Sequence, residues 1–393
     1  MRPPWRYAER MFQPSILTRF STLNPFKMNR HRLIASMAAV LFLAPGITAQ
    51  VKTENVILII LDGVRTNEVF QGVDLELLRA HETKKPVEES ELYKQFWADT
   101  AIERRKSLMP FFWEVWMENH GSIAGDRWNG SEVLLTNNHW FSYPGYSEIL
   151  TGQANDEEIA SNAAVQNPYP SVMEFFASKL ELPQSGIASF ASWSVMDYIV
   201  EKNRGTIFSN AGYEAYETPD PAIQLLSELQ FKTLSPWDTV RHDAYTFRFA
   251  MDYLKRHRPR VLYMALGETD DWGHEKRYDR VVQAIHANDA YFRELWEFLQ
   301  SDDQYKDKTT ILLTTDHGRG DQVEDWPHHR SSIESSKYCW IAVMGPDHKQ
   351  RGSLQNIKTI GMNQIAATLS AFLELDYSEW NEEAGEPISI FLK

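Results

Sequence analysis

Short apolar runs alternate along this chain with longer stretches in which apolar residues recur every three or four positions. Runs of strand type lie at Val56–Leu61, Val133–Thr136, Gly186–Ala191, Val261–Leu266, Thr310–Thr314 and Trp340–Met344. Helical periodicity covers Asp243–His257, Tyr278–Leu299 and Asn363–Leu373. Short apolar strands alternating with amphipathic helices predict an α/β fold: a mostly parallel central sheet with helices on both faces. Two stretches fit the alternation poorly. Residues 75–130 are rich in charge and carry Trp113, Trp116 and Trp128, and residues 195–240 hold Gly205, Gly212, Pro219 and Pro221. Both are expected as inserted loop or cap segments rimming a site, since loops on such a scaffold carry specificity; plain surface decoration is the competing expectation.

The 393 residues, 43% hydrophobic, allow one large α/β domain with insertions. The formal net charge of −14 opposes association with a polyanion, so no nucleic-acid surface is expected. An anionic small-molecule substrate must then be held locally, by metal. The single cysteine, Cys339, excludes an intrachain disulfide and a thiolate metal cluster, and its apolar surroundings predict core packing.

Near the N-terminus, basic Arg30, His31 and Arg32 precede the apolar run Leu33–Leu43. A Pro45-Gly46 break follows, then small residues Thr48-Ala49 before Gln50. This is the layout of an export signal, and the apolar run is too short to span a bilayer comfortably. Residues 28–49 are therefore expected to be a signal peptide starting at Met28. Residues 1–27 are read as an upstream extension, and residues 50–393 as the catalytic domain. The mature protein is expected in a periplasm or secreted, with no stable membrane span; an uncleaved anchor is the alternative. Nothing in the pattern speaks to oligomeric state.

The chemistry lies where apolar runs end. Asp62 follows Asn55-Val-Ile-Leu-Ile-Ile-Leu61 and precedes Gly63, so its carboxylate should project from the carboxyl end of a strand, although Asp-Gly is also a common turn. After Val261–Leu266 come Asp270 and His274, four apart, which one helical turn would bring to the same ion; Asp271 is a rival by one position. After Thr310–Thr314, Asp316 and His317 can converge on one ion at a strand terminus followed by a glycine turn, and His328 and His329 follow in a loop. A serine nucleophile, activated by a metal or a base, is available in Phe141-Ser142-Tyr-Pro-Gly-Tyr-Ser-Glu-Ile-Leu-Thr151-Gly152.

Together these blocks resemble the alkaline phosphatase superfamily from about residue 55 to 373, nearest to its nucleotide pyrophosphatase/phosphodiesterase-like and related zinc phosphatase branches. The resemblance implies two divalent ions, most readily zinc. It assigns one to Asp62, Asp316, His317 and the Ser142 oxygen, and the other to Asp270, His274 and a distant histidine. The family's Trp-x-x-His pattern matches Trp326-Pro-His-His329 and favours His329 over His328. Ser142 stands nine residues before the threonine of Thr151-Gly152, as the family's nucleophile does, whereas Ser147 lacks that spacing. Where the diesterases have Thr-Phe-Pro-Asn, this chain has Ser142-Tyr-Pro-Gly, which keeps the nucleophilic oxygen and departs from the diesterase pattern at the positions around it.

For gripping phosphate, Asn162 lies about where the diesterase asparagine falls, with Asn167 a rival. Arg319 beside the ligands could touch phosphate or form a structural ion pair. The function implied is an exported phosphoric-ester hydrolase working through a phosphoseryl intermediate, with diesters favoured over monoesters and the tryptophans at 113, 116 and 128 sheltering an organic substituent. Two alternatives stand beside it. A sulfatase would need arginine at Tyr146 and an Asp-Asn pair at Asp316-His317. A non-catalytic binding protein of the same fold would have lost a ligand or the nucleophile, and none is missing. Cofactor-independent mutases share the metal set but act on cytoplasmic phosphosugars.

Overall fold

The computed structural model describes residues 52–233 and 235–393. The expected extension at 1–27 and export signal at 28–49 lie outside the described residues. The strands are β1 (Asn55–Leu61), β2 (Gly121–Ala124), β3 (Val133–Leu134), β4 (Ile187–Ala191), β5 (Phe208–Ala211) and β6 (Val261–Leu266), followed by β7 (Thr309–Thr314), β8 (Tyr338–Cys339), β9 (Ile341–Met344), β10 (Gly352–Ser353) and β11 (Ile360–Gly361). Eight of them form one sheet in the order β10-β2-β9-β7-β1-β6-β4-β5. In that sheet β9 alone opposes its neighbours, so the mostly parallel α/β fold expected from the sequence is the one formed.

β1 lies between β7 and β6, and every one of its residues is buried. Successive side chains of a strand point to opposite faces. Ile57, Ile59 and Leu61 therefore join Leu262, Met264, Leu266, Ile311 and Leu313 in one core, while Val56, Leu58 and Ile60 join Val261, Tyr263, Ala265 and Leu312 in the other. Each such side chain contributes ~1.5–3 kcal/mol on burial, so the middle of the sheet is a firm base from which to aim a side chain. The helices Asp243–His257 and Tyr278–Ser301 cover the first face. The helices Ser142–Thr151, Val172–Lys179 and Ile365–Phe372 cover the second.

The Asp243–His257 helix forms over the range its periodicity predicts and stops at Arg258, in the left-handed region at φ 52°, just before Pro259. Two expectations need correction. The run Val133–Thr136 yields only Val133–Leu134, in a separate three-stranded sheet of order β11-β3-β8; the Leu135 amide still donates to the Lys337 carbonyl, but those of Thr136 and Asn137 turn to the Glu148 carboxylate. Residues 75–130 do not rim the site. They form the helices Leu75–His81, Glu91–Phe96 and Ala101–Leu108, a π turn at Phe112–Met117, and β2 within the main sheet. Trp113 and Trp116 are core residues, and Trp116 stacks on Phe292 with ring centres 5.3 Å apart. Trp128 is exposed and lies against the Arg127 guanidinium. The turn is fixed by Asp289, whose carboxylate accepts the Phe111 and Phe112 amides at 2.9 and 2.7 Å. No helix among the described residues is long and apolar enough to cross a membrane.

Candidate functional site

The strands β7, β1 and β6 are neighbours, and the three acidic blocks leave from their carboxyl ends. Asp62 is the residue after β1. Gly63, at φ 63°, turns the chain there, and a Cβ on it would lie 2.6 Å from Asp270 Oδ1, so glycine is needed both for the turn and for the close approach. Asp270 and His274 lie on the short helix Glu268–His274 after β6, and Asp316 and His317 follow β7. Ser142 is the first residue of its helix, with Phe141 as the extended N-cap, so its hydroxyl sits at the positive end of the helix dipole. The Tyr143 amide donates to Asn162 Oδ1 at 3.0 Å, and Pro144 has no amide to satisfy.

Three side chains each have one polar atom tied to protein and the other turned to a common point. Asp62 Oδ2 accepts the Tyr146 hydroxyl at 3.0 Å, while Asp62 Oδ1 is buried without a partner. Asp316 Oδ1 accepts the Gly63 amide at 3.0 Å, while its Oδ2 is buried without a partner. His317 Nδ1 lies 2.8 Å from the Gly318 carbonyl and donates to it, so Nε2 is the ring nitrogen turned to Asp62 Oδ1 at 3.4 Å and Asp316 Oδ2 at 3.5 Å. Ser142 Oγ is 3.4 Å from the same Nε2. Beside this group, His274 Nε2 lies 3.0 Å from His329 Nε2 and 3.1 Å from Asp270 Oδ2, and His329 Nε2 is 3.8 Å from Asp270 Oδ1. Single ligand atoms of Asp62, Asp316 and His317, and likewise of Asp270, His317 and His329, lie within 4.8 Å of one another.

The electrostatics of the site call for cations. Burial, then the Asp270 charge, raises the Asp62 carboxyl above its ordinary value, and burial with Asp62 pushes Asp316 well above it. Burial would also raise Asp270, but Arg319 and His274 outweigh it and hold that carboxyl well below the usual range. Burial depresses His317, yet the surrounding carboxylates, Asp316 foremost, carry it up to about 9. Three buried carboxylates with two unpartnered oxygens, interleaved with imidazole nitrogens, form a donor set that suits divalent ions.

Where the sequence left rivals, their positions differ. Asp271 lines the cleft, but it is Asp270 whose oxygens approach His274, His317 and His329. His329 is buried, and His328 is exposed. Ser147 Oγ accepts from Asn167 Nδ2 at 3.2 Å, and Asn167 also donates to the Ile199 carbonyl; both are buried away from the ligands. Asn162 lines the cleft. Arg319 is the ion-pair partner of Asp270, and its other donors reach the Trp326 and Pro327 carbonyls at 3.1 and 2.7 Å, so its guanidinium is taken up by protein rather than turned to substrate.

The cleft over the ligands encloses about 180 Å³. Besides Ser142, Asn162 and the acidic and imidazole residues, its lining includes Trp193, Thr239 and Val240. The aromatic wall residue is thus Trp193, just past the end of β4, in place of the three tryptophans expected there. Sequence reasoning also missed Tyr146 and Glu148. Glu148 is fully buried and accepts the Thr136 and Asn137 amides, the Thr136 hydroxyl and the Asn137 side chain at 2.7–3.1 Å, which anchors the segment entering the nucleophile helix. A polar residue inside an apolar helical stretch was the available signal.

A doubly covered α/β sheet with clustered acidic and imidazole donors at the carboxyl ends of its central strands defines the class: a metalloenzyme of the alkaline phosphatase fold. The chain belongs to the Metalloenzyme superfamily, whose family model matches residues 54–377. No curated protein matches it. Among solved structures it resembles the lipoteichoic acid synthase LtaP from Listeria monocytogenes, with a TM-score of 0.55 and 10% identity over 86% of this chain and 76% of that one. It also resembles the alkaline phosphatase PafA, with a TM-score of 0.53 and 10% identity over 87% of this chain and 99% of that one. At this identity the likeness is one of fold.

Proposed function

We propose that the protein hydrolyses phosphoric esters through a phosphoseryl intermediate on Ser142, with one ion held by Asp62, Asp316, His317 and the serine oxygen and a second by Asp270, His274 and His329. The observation that carries this reading is the pair of unpartnered buried carboxylate oxygens facing His317 Nε2, with Ser142 Oγ 3.4 Å from that nitrogen. When bound, the ions would supply the charge that favours a serine alkoxide and neutralises phosphoryl oxygens.

The chain's own residues do the rest by position. Ser142 gives its proton to solvent and its Oγ attacks phosphorus in line; the Oγ–P bond forms as the ester P–O bond breaks on the far side, and the departing alkoxide takes a proton back from solvent. Water then attacks the phosphoseryl phosphorus from the vacated side and returns the serine. Asn162, with its oxygen committed to the Tyr143 amide, has its side-chain nitrogen left to donate to a nonbridging oxygen. The ester's organic substituent would lie along Trp193 and Val240.

Among the residues lining the cleft there is no lysine or arginine, and neighbouring Arg319 is committed to Asp270. A site so equipped favours the single negative charge of a diester over the double charge of a monoester, which supports the phosphodiesterase-like branch. The same reading includes an exported enzyme, from the signal-like residues 28–49.

The test is a kinetic comparison of an aryl phosphate, the matched aryl phosphodiester and an aryl sulfate on zinc-loaded protein. The diester should give the highest kcat/KM. A tenfold or greater preference for the monoester would move the enzyme to the phosphatases, and turnover of the sulfate alone would overturn the reading.

A further inference from the structure

The helix Ser142–Thr151 brings two side chains to the ligand cluster. Ser142 is one; Tyr146, one turn later and therefore on the same side of the helix, is the other. Tyr146 is 1% exposed and packs in the core beneath the site, its ring centre 6.5 Å from that of the cleft-wall Trp193. Its hydroxyl donates to Asp62 Oδ2 at 3.0 Å, and among the described residues no other group donates to that carboxylate.

A carboxylate at the end of a strand can rotate, or offer both oxygens to one ion. Here one oxygen is occupied, and the other, 3.4 Å from His317 Nε2, is turned to the place where the remaining ligands converge. The bond also joins two parts of the chain that have no covalent reason to stay in register: the end of β1 and the helix that carries the nucleophile.

We infer that Tyr146 is a positioning residue, whose hydroxyl restricts Asp62 to a single metal-binding oxygen and holds the Ser142 helix over the ion that this oxygen binds. The inference rests on the two-ion reading above. Groups that hydrogen-bond a metal ligand typically change metal affinity ~10–100-fold when removed. The ring is buried on all sides, so Tyr146→Phe removes the oxygen and leaves the packing in place.

Tyr263 supplies the control. It too is fully buried beneath the site, but its hydroxyl is directed to Met196 Sδ at 3.5 Å and touches no ligand. The experiment is a zinc competition titration against a chromophoric chelator, on wild type, Y146F and Y263F, with metal-free melting temperature measured in parallel. Y146F should melt close to wild type yet hold one of its two ions about tenfold or more weakly, with kcat reduced more than KM is changed, while Y263F binds as wild type does. Equal zinc affinity in Y146F and wild type, or the same weakening in Y263F, would overturn the role given to Tyr146 and leave the metal reading standing. A wild-type protein that takes up no ion would overturn both.

Discussion

Gly145 in the nucleophile helix lies so close to the main chain of Asp316 that a Cβ at this position would overlap the Asp316 carbonyl oxygen. The helix therefore rests directly on the backbone of the Asp316-His317 pair, and that contact sets how near Ser142 comes to His317. Both partners are backbone, so no rotamer change can relieve a Gly145→Ala substitution. The variant should be destabilised by about 1–3 kcal/mol, the usual cost of overpacking, and should lose at least about tenfold in kcat through misplacement of Ser142. Thermal melts and steady-state kinetics check this; an alanine variant with wild-type values of both would remove the steric argument.

Ser142→Ala should lower turnover by several orders of magnitude while barely moving the melting temperature, because the side chain makes no packing contribution that alanine lacks. Ser147→Ala, which gives up only the bond from Asn167, should keep most of the activity. The reverse pattern would transfer the nucleophile to Ser147.

The cluster brings three buried carboxyl groups together, Asp62, Asp270 and Asp316, whose ionised forms a cation would favour, so ion binding should stabilise the fold. Zinc at ~100 times its dissociation constant should add about 2.7 kcal/mol per site, provided the unfolded chain binds weakly. Elemental analysis should find close to two ions in wild type and about one fewer in Asp316→Asn, whose side chain keeps its volume and loses its charge. Full activity after exhaustive chelation would rule out the metal requirement.

A pH effect is expected far from the catalytic cleft. His348 is buried between the Phe391 carbonyl and the Ser122 hydroxyl, 2.9 Å from each, and burial pushes its pKa down to about 4. In the unfolded chain it titrates near 6.5. Between these values the unfolded state binds more protons, so stability falls as pH drops from about 6.5 to about 4 and levels off below, a loss of up to about 3 kcal/mol. Comparing melting temperatures at pH 7 and pH 4.5, His348→Gln should lose less on acidification than wild type. An identical drop in the two proteins would show that His348 is not the group responsible.

Most of the candidate ligand set was legible because each residue stands where an apolar run stops. Asp62 directly follows β1, Asp316 and His317 follow β7 within three residues, and Asp270 follows β6 by four. Long-range assignments were less legible. His329 and Asn162 come from loops, and only the resemblance of their surroundings to a known pattern singled them out. Trp113 and Trp116 were misplaced because they stand in a charged stretch, yet both are buried: Trp113 packs edge-on against Phe70, and Trp116 stacks on Phe292 of the Tyr278–Ser301 helix, which is remote in sequence.

By itself the sequence determined the alternation of buried strands and amphipathic helices, the two-faced apolar character of β1, and which acidic and imidazole residues follow the strands as candidate donors, all properties of residues within a few positions of one another. Only the tertiary structure decided that β7, β1 and β6 lie side by side, that Tyr146 and the Gly63 amide each claim one carboxylate oxygen and leave the other bare, and that Arg319 is spent on Asp270. The physical reason is that a side chain's backbone preferences are local. Its hydrogen-bond partners are set by which strands become neighbours, and here those partners lie as far as 84 and 253 residues away.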